Sequence, residues 1–377
     1  MSEEPAPAPP VPKSKRSFRT ALAIVIGSLI LVVAVAGWFV HKALAYPGEV
    51  HEGAGKDVEI EIKPGTSFPS IASLLADRGV IEKPTWFRMY AMWEGDTTKV
   101  KPGKYLIKDN LSPEQVLAVL VAGVKEVTVS VTLPEGKNML EYFELLEQKK
   151  VTTAKELEAL ARDREFLGKH GISGDTAEGY LFPDTYQFRV GEKPAAVLDR
   201  LITHHHEVWN QLVAKHARDL AKLKDKLTWS DRDVLTMASI VEKEAVDPAE
   251  RPRIAQVFIN RLTFASFNPK RLETDPTIRY GCMVPVLKSA ACQSWDKHDR
   301  LHRAQLDDKD NPYNTYQHDG LPPGPIANPG KGSIEATLAP DGSDYLFFVA
   351  KDARNHAFAR SLEEHERNVD KFMKHKP

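Results

Sequence analysis

Apolar and polar residues alternate very differently along this chain, and the sharpest contrast comes first. Ala21 to Val40 runs for twenty residues without a charge. Twenty helical residues reach roughly 30 Å, the thickness of a hydrocarbon core, so the run predicts a transmembrane helix over 21–40. Lys13, Lys15, Arg16 and Arg19 precede it, and a basic flank of this kind stays cytoplasmic. Residues 1–20 are then a cytoplasmic tail, disordered over the Pro- and Ala-rich stretch 2–12, and residues 45–377 face outward. A cleaved signal peptide is the competing reading, with Ala43-Leu44-Ala45 as its cleavage site. Against it, the apolar region of a signal is usually about 7–15 residues long.

After a linker over 41–56, marked by Pro47, Gly48, Gly53 and Gly55, the period changes. Val58, Ile60 and Ile62 alternate with Glu59 and Glu61, a strand pattern. Pro64-Gly65-Thr66 turns the chain, and Ile71, Leu74 and Leu75 recur at helical spacing up to Gly79. Trp86, Phe87, Tyr90 and Trp93 outline a second short helix, and Lys101-Pro102-Gly103 leads into a strand at Tyr105-Leu106-Ile107. Ser112 then caps a helix that opens on Pro113 and runs through Val121. Together these elements make a small α+β module of about 75 residues.

Val127 to Leu133 alternates again, and Leu140 to Leu227 is mostly helical and heavily charged. One stretch interrupts it, Glu178 to Tyr186, where aromatic residues surround Gly179 and Pro183. Such a run cannot be a regular helix; it is a core plug or the wall of a cleft. Residues 230–263 read as two helices, the first opened by Ser230 and Asp233 at capping-box spacing. Beyond Leu262 the chain is loop-rich, through Glu273–Thr277, Pro312–Tyr316 and Gly320–Gly330, and closes on a strand, Tyr345 to Ala350, and a polar helix. The whole is an α+β chain with an N-terminal transmembrane helix, a small module and a larger mixed domain.

Composition narrows the function. The formal net charge of -1 over 377 residues lacks the basic excess that marks nucleic-acid binders. Two cysteines, Cys282 and Cys292, are too few for a disulfide scaffold. Consecutive His204-His205-His206 fan out around a helix, His298 and His302 have no acidic partner pattern, and no HExxH, GxSxG, Walker A or GxGxxG sequence is present. No metal or cofactor is expected.

The acid–base candidates are Glu244 and Glu242, at the end of an apolar helix. Burial disfavours an ionised carboxyl, and a carboxyl still protonated near neutrality can donate to a leaving group. Two residues apart on a helix means about 200° apart, so only one of them faces a given cleft. Glu244 continues the face of Met237, Ile240 and Val241, which favours it, while Glu242 follows Leu235 and Ala238. Both could equally be solvated charges flanking Lys243. The polar loop residues Thr274, Asp275, Thr277, Tyr280, Asn314, Thr315, Tyr316 and Asn328 are of the types that bind sugars, although each also serves ordinary turn chemistry.

Six segments in fixed order carry a resemblance: EGYLFPDTY (178–186), ASIVEKE (238–244), VFINRL (257–262), ETDPTIRYG (273–281), YNTYQHDGLPPGPIANPG (313–330) and YLFFVA (345–350). With the anchor and small module before them, they resemble the MltG (YceG-like) family of endolytic murein transglycosylases over about residues 20–370. The resemblance implies a LysM-like subdomain at 57–125 and a catalytic domain at 126–370. It also implies a single-pass protein of the inner membrane and Glu244 as the catalytic acid. Thr274, Asp275, Tyr280, Asn314, Thr315, Tyr316 and Asn328 are then the substrate-binding candidates. The implied reaction cleaves the bond between MurNAc and GlcNAc of nascent peptidoglycan strands, closes a 1,6-anhydro end without water, and needs no second carboxylate. Cell-wall synthases are the implied partners. A hydrolase using Asp275 as the second carboxylate, and a non-catalytic glycan-binding scaffold, are the alternatives. The segment between Gly281 and Pro312 matches nothing in the family pattern and reads as an insertion on the rim of the cleft. In an oxidising compartment its two cysteines are expected to pair.

Overall fold

Helix α1 (Lys15–Ala45) carries the uncharged run. In the computed structural model, which describes residues 15–124 and 127–373, an apolar stretch long enough to cross a membrane covers Leu22–Gly48. The helix therefore continues five residues past the expected end at Val40, because His41 to Ala45 contains no Pro or Gly to stop it; the linker is correspondingly shorter than 41–56. Most of the expected cytoplasmic tail, with the Pro- and Ala-rich stretch and Lys13, lies outside the described residues.

The chain divides into two units, residues 1–126 and 127–377. In the first, β1 (Asp57–Ile62) is followed by α2 (Phe68–Asp77), α3 (Pro84–Glu94), β2 (Gly103–Lys108) and α4 (Pro113–Ala122). The two strands pair antiparallel with Ile60 opposite Tyr105. Alternation puts Ile60, Ile62, Tyr105 and Ile107 into a core with Phe68, Leu75, Phe87 and Leu120. Ser112 and Gln115 satisfy each other's backbone N–H at the start of α4, a reciprocal cap of which only the Ser half was expected.

The second unit is mixed, with helices dominant. It contains β3 (Thr128–Thr132), α5 (Met139–Gln148), α6 (Ala154–Ala161), α7 (Arg164–Lys169), β4 (Thr185–Arg189), α8 (Pro194–Lys215), α9 (Ala217–Leu227), α10 (Asp231–Glu244) and α11 (Arg251–Thr263). There follow α12 (Asp275–Met283), α13 (Ala290–Gln293), α14 (Arg303–Leu306), α15 (Lys331–Leu338), β5 (Phe347–Ala350), β6 (His356–Ala359) and α16 (Leu362–Phe372). Strands β3 and β4 pair antiparallel, as do β5 and β6. The closing strand is therefore half of a hairpin. The interrupting stretch after α7 resolves into an irregular plug leading into β4. Tyr180, Leu181, Phe182 and Tyr186 are buried there with Leu235 and Ile240 of α10.

Helix α10 is the axis of this unit. Ser230 and Asp233 close a reciprocal cap at its start, and Val234 to Val241 are all buried. Helix α15 packs against both α10 and α11. Helix α12 corrects the loop reading of Glu273–Thr277: Pro276 sits in its first turn and starts the helix, since a missing N–H costs nothing there. Cys282, next to its last residue, is disulfide-bonded to Cys292 in α13.

Candidate functional site

The end of α10 brings its two carboxyls into different surroundings. Glu242 turns toward α15 and is 6% exposed. Its Oε1 lies 3.3 Å from Arg251 Nη2. Its Oε2 accepts from Gly330 N at 3.1 Å and Ser333 Oγ at 2.7 Å. Every lone-pair direction that matters is occupied by a structural donor.

Glu244, on the other face, meets the start of α12. The Thr274 hydroxyl donates to its Oε1, and Thr274 itself is 2% exposed. Burial raises the Glu244 carboxyl above the ordinary carboxylate range. The Thr274 bond works against that rise and the negative charge of Asp275 adds to it; His356 and Arg261 draw it back. The outcome is a carboxyl held toward its protonated form beside groups that can tolerate the ionised one.

The expected loop residues divide into two sets. Thr274, Asp275, Thr315 and Tyr316 gather around Glu244. The Thr315 hydroxyl accepts from Thr274 N at 3.1 Å and lies 2.9 Å from the Thr277 hydroxyl, while Glu273 N donates to Thr315 O at 3.2 Å. Tyr316 donates its hydroxyl to Asp275 Oδ1 at 2.9 Å. Burial, then the Asp275 charge, keeps that phenol protonated well above its ordinary range.

Asn314, Asn328 and Tyr280 are held elsewhere. The Asn314 amide donates to the carbonyls of Gln305, Leu306 and Asp308 and accepts from Tyr316 N, so it organises the loop and is fully buried. Asn328, also fully buried, accepts from Gly179 N and Leu181 N and donates to Lys137 O and Glu178 Oε1. Both amides have spent their hydrogen-bonding capacity inside the protein.

Tyr280 joins Asn328 around Glu178, a carboxyl 1% exposed that also receives Met139 N at 3.0 and 3.1 Å. Burial pushes Glu178 up to about 8; the Met139 and Tyr280 hydrogen bonds oppose that. Gly179 beside it has φ +87°, and a Cβ there would lie 2.6 Å from Pro325 Cγ, so the plug admits only glycine at this point.

Two contributors escaped sequence reasoning. Arg261, from the VFINRL segment, is 7% exposed. Its guanidinium is fixed by the carbonyls of Leu346 and Leu272 and favours the ionised form of Glu244. A buried Arg at the polar end of an apolar helix was the available signal. His356 in β6 acts in the same sense and is held by Glu250, Nδ1 to Oε2 at 2.7 Å; its hairpin was not foreseen, and no pattern marks it.

A half-buried acid, flanked by a hydroxyl network and a fixed cation, is the kind of centre that moves a proton at a polar bond. The YceG-like family model matches residues 60–371, and the chain belongs to that family. It is 30% identical over 358 residues to the endolytic murein transglycosylase of Bacillus subtilis, covering 91% of this chain and 92% of that protein. The endolytic murein transglycosylase of Streptococcus pneumoniae is 26% identical, and the match covers 85% of this chain and 59% of that longer protein. The crystal structure of a yceG-like protein from Listeria monocytogenes superposes with a TM-score of 0.52 at 29% identity, covering 83% of this chain and 98% of that one.

Proposed function

We propose that this chain is an endolytic murein transglycosylase, a lyase of peptidoglycan glycan strands, with Glu244 as its acid and base. The observation that carries the reading is the desolvated Glu244 carboxyl held by the Thr274 hydroxyl. That bond occupies Oε1 and leaves the other oxygen to hold the proton. Glu244 gives this proton to the oxygen linking MurNAc C1 to GlcNAc as the C1–O bond breaks. The resulting carboxylate, steadied by Arg261 and His356, takes the proton of the MurNAc C6 hydroxyl while O6 bonds to C1. A 1,6-anhydro end forms, no water is consumed, and the acid is regenerated. Thr274, Thr315 and Tyr316 position the carboxyl and the sugar, and Asp275 offers negative charge near the developing oxocarbenium ion.

In this reading α1 anchors the chain in the inner membrane with its N-terminus cytoplasmic, and the rest works outside on nascent strands beside the synthases that make them. Residues 57–125 act as a LysM-like glycan-binding subdomain, and residues 126–370 as the catalytic domain. Hydrolysis is the second reading, and the closeness of Asp275 to Glu244 favours it over the non-catalytic alternative, because two carboxyls can activate a water. Mass spectrometry of the products separates the two. Ends lighter by one water are expected, and reducing ends would replace transglycosylation by hydrolysis.

A further inference from the structure

A cleft of about 650 Å³ opens beyond the far end of α12, and Glu244 is not among its lining residues. One wall is the first part of α5, with Glu141 and Glu144; the other is the disulfide-bearing segment, with Lys288, Trp295, Lys297 and His298. This is the segment expected as an insertion on the rim of the cleft; the family model spans it. The α5 wall offers acidic residues; the opposite wall carries Lys288, Lys297 and His298 together with one carboxylate, Asp296, whose Oδ1 accepts from His298 N at 2.8 Å. Among the described residues, the side chains of Glu144, Lys288, Lys297 and His298 make no hydrogen bond or ion pair. Opposite charges facing one cleft without pairing stand further apart than an ion pair spans, about 4 Å. A ligand carrying both signs can bridge them.

The basic wall is built rather than loose. The Cys282–Cys292 disulfide staples it to the end of α12. Both sulfurs are buried with Ile278, and Trp295, Leu301, Leu306 and Tyr316 pack against them. Asn314 pins the carbonyls of Gln305, Leu306 and Asp308 behind it. The Trp295 indole donates to Arg300 O at 3.1 Å, and the Arg279 guanidinium lies 5.3 Å from its ring. Tyr316 thus belongs both to this small core and to the hydrogen bond with Asp275. The nine residues of α12 set the two ends about 13 Å apart. A strand engaged at Glu244 can therefore reach the cleft with a neighbouring substituent.

We propose that this cleft binds the stem peptide carried by the glycan strand, a short peptide with free carboxylates and a free amine. Lys288, Lys297 and His298 receive the carboxylates, and Glu144 receives the amine; Glu141 beside it is held by Lys137 Nζ at 2.6 Å and Asn138 N at 3.0 Å. The inference deepens the proposed activity and rests on it for the identity of the strand. It makes the disulfide a condition of peptide recognition.

The test uses the full chain in detergent and has two arms. In the first, calorimetry follows binding of the free tripeptide L-alanyl-γ-D-glutamyl-meso-diaminopimelate to a Glu244→Gln background, where turnover cannot interfere. Lys288→Glu with Lys297→Glu is expected to weaken binding about tenfold, the size of two exposed charge contacts. Cys282→Ser with Cys292→Ser should weaken it similarly, with circular dichroism as the folding control. No binding, equal binding by the charge-reversed protein, or equally tight binding of an all-L peptide of the same charge would each overturn the proposal. In the second arm, kcat/KM is compared on strands with and without stem peptides. A preference for peptide-bearing strands that collapses in the charge-reversed protein supports the cleft. Turnover without preference sinks the cleft and spares the activity. Peptide binding without turnover on either strand does the reverse.

Discussion

The two faces at the last turn of α10 hold the same functional group in opposite surroundings. On one, Glu242 is matched by a guanidinium, a backbone N–H and a hydroxyl; its charge is spent on joining α10 to α15. On the other, Glu244 is desolvated with a single hydroxyl donor and its nearest cations set back; its proton is left in play. Burial alone therefore does not make a carboxyl chemical. What distinguishes the two is whether the surroundings fix the ionised form or leave both forms within reach.

The comparison breaks most visibly at Glu244. Glu244→Gln keeps the shape and a hydrogen-bonding group but cannot transfer a proton. One residue serves both halves of the proposed reaction, so anhydromuropeptide release should fall by about 10⁴-fold or more, at or beyond the upper end for general acid–base catalysis, with the circular dichroism spectrum unchanged. Near-normal release from the folded variant would remove Glu244 from the mechanism.

Glu178 sharpens the comparison with a third carboxyl, desolvated like Glu244 but more deeply buried, and closed off like Glu242. Its folded pKa, about 8, lies above the ordinary 4.5. The contribution of its neutral form to stability is full below the ordinary value and is lost as pH rises through about 8. That amounts to roughly 4–5 kcal/mol at most across the interval. Urea midpoints measured from pH 4.5 to 8.5 should fall more steeply for the native protein than for Glu178→Gln. Glu244, raised in the same direction, contributes to both slopes and cancels. Parallel slopes would mean that Glu178 is ionised in the fold.

Glu242→Gln tests the structural face. Gly330 N and Ser333 Oγ can still donate to the amide oxygen and Arg251 keeps Glu135 at 3.3 Å, but the amide NH2 replaces the oxygen that accepted from Arg251, so the charge and that one hydrogen bond are lost. A cost of about 1–2 kcal/mol is expected, or a melting temperature lower by about 2–8 °C, with release within about threefold of native in the folded fraction. A loss of release comparable to that of Glu244→Gln, in folded protein, would move the acid to Glu242.

These contrasts were legible in the sequence to different depths. Helical phase separates Glu242 from Glu244 because a 200° offset is a property of the backbone, whatever surrounds it. The same local logic found the caps at Ser112 and Ser230 and the strands expected at 58–62 and 105–107, which extend over 57–62 and 103–108. It misjudged Asp275-Pro276, because proline punctuates both a loop and a helix start, and only the downstream backbone decides between them. It could not rank Asn314 and Asn328 against Thr274. An amide in a loop looks alike whether it meets a sugar or ties three carbonyls together, and the partners of Asn328 lie about 150 residues away. Nor could it place Arg261 and His356 beside the acid, since that needs the β5–β6 hairpin to fold back on α11.

Thr274→Val carries the smallest expected effect and tests the site at its finest point. The threonine hydroxyl donates to Glu244 Oε1, and a donor to a carboxylate favours the ionised form. Valine has nearly the same shape and no donor. Two consequences follow, and they have the same sign. The ionised form loses its hydrogen bond, and Oε1 is left facing an apolar methyl. Both raise the Glu244 pKa further. A net hydrogen bond worth about 1 kcal/mol corresponds to about 0.7 in pKa. The reaction starts from the protonated acid, so its activity is lost as pH rises through that pKa. The alkaline limb of kcat/KM should therefore move up by somewhat less than about one pH unit, with the maximal rate lower by no more than about twofold because the carboxyl is less firmly aimed. Ser at position 274 keeps the donor and should leave the limb in place. A limb that moves down in the valine protein, or moves equally in the serine protein, would show that Thr274 does not govern the ionisation of Glu244.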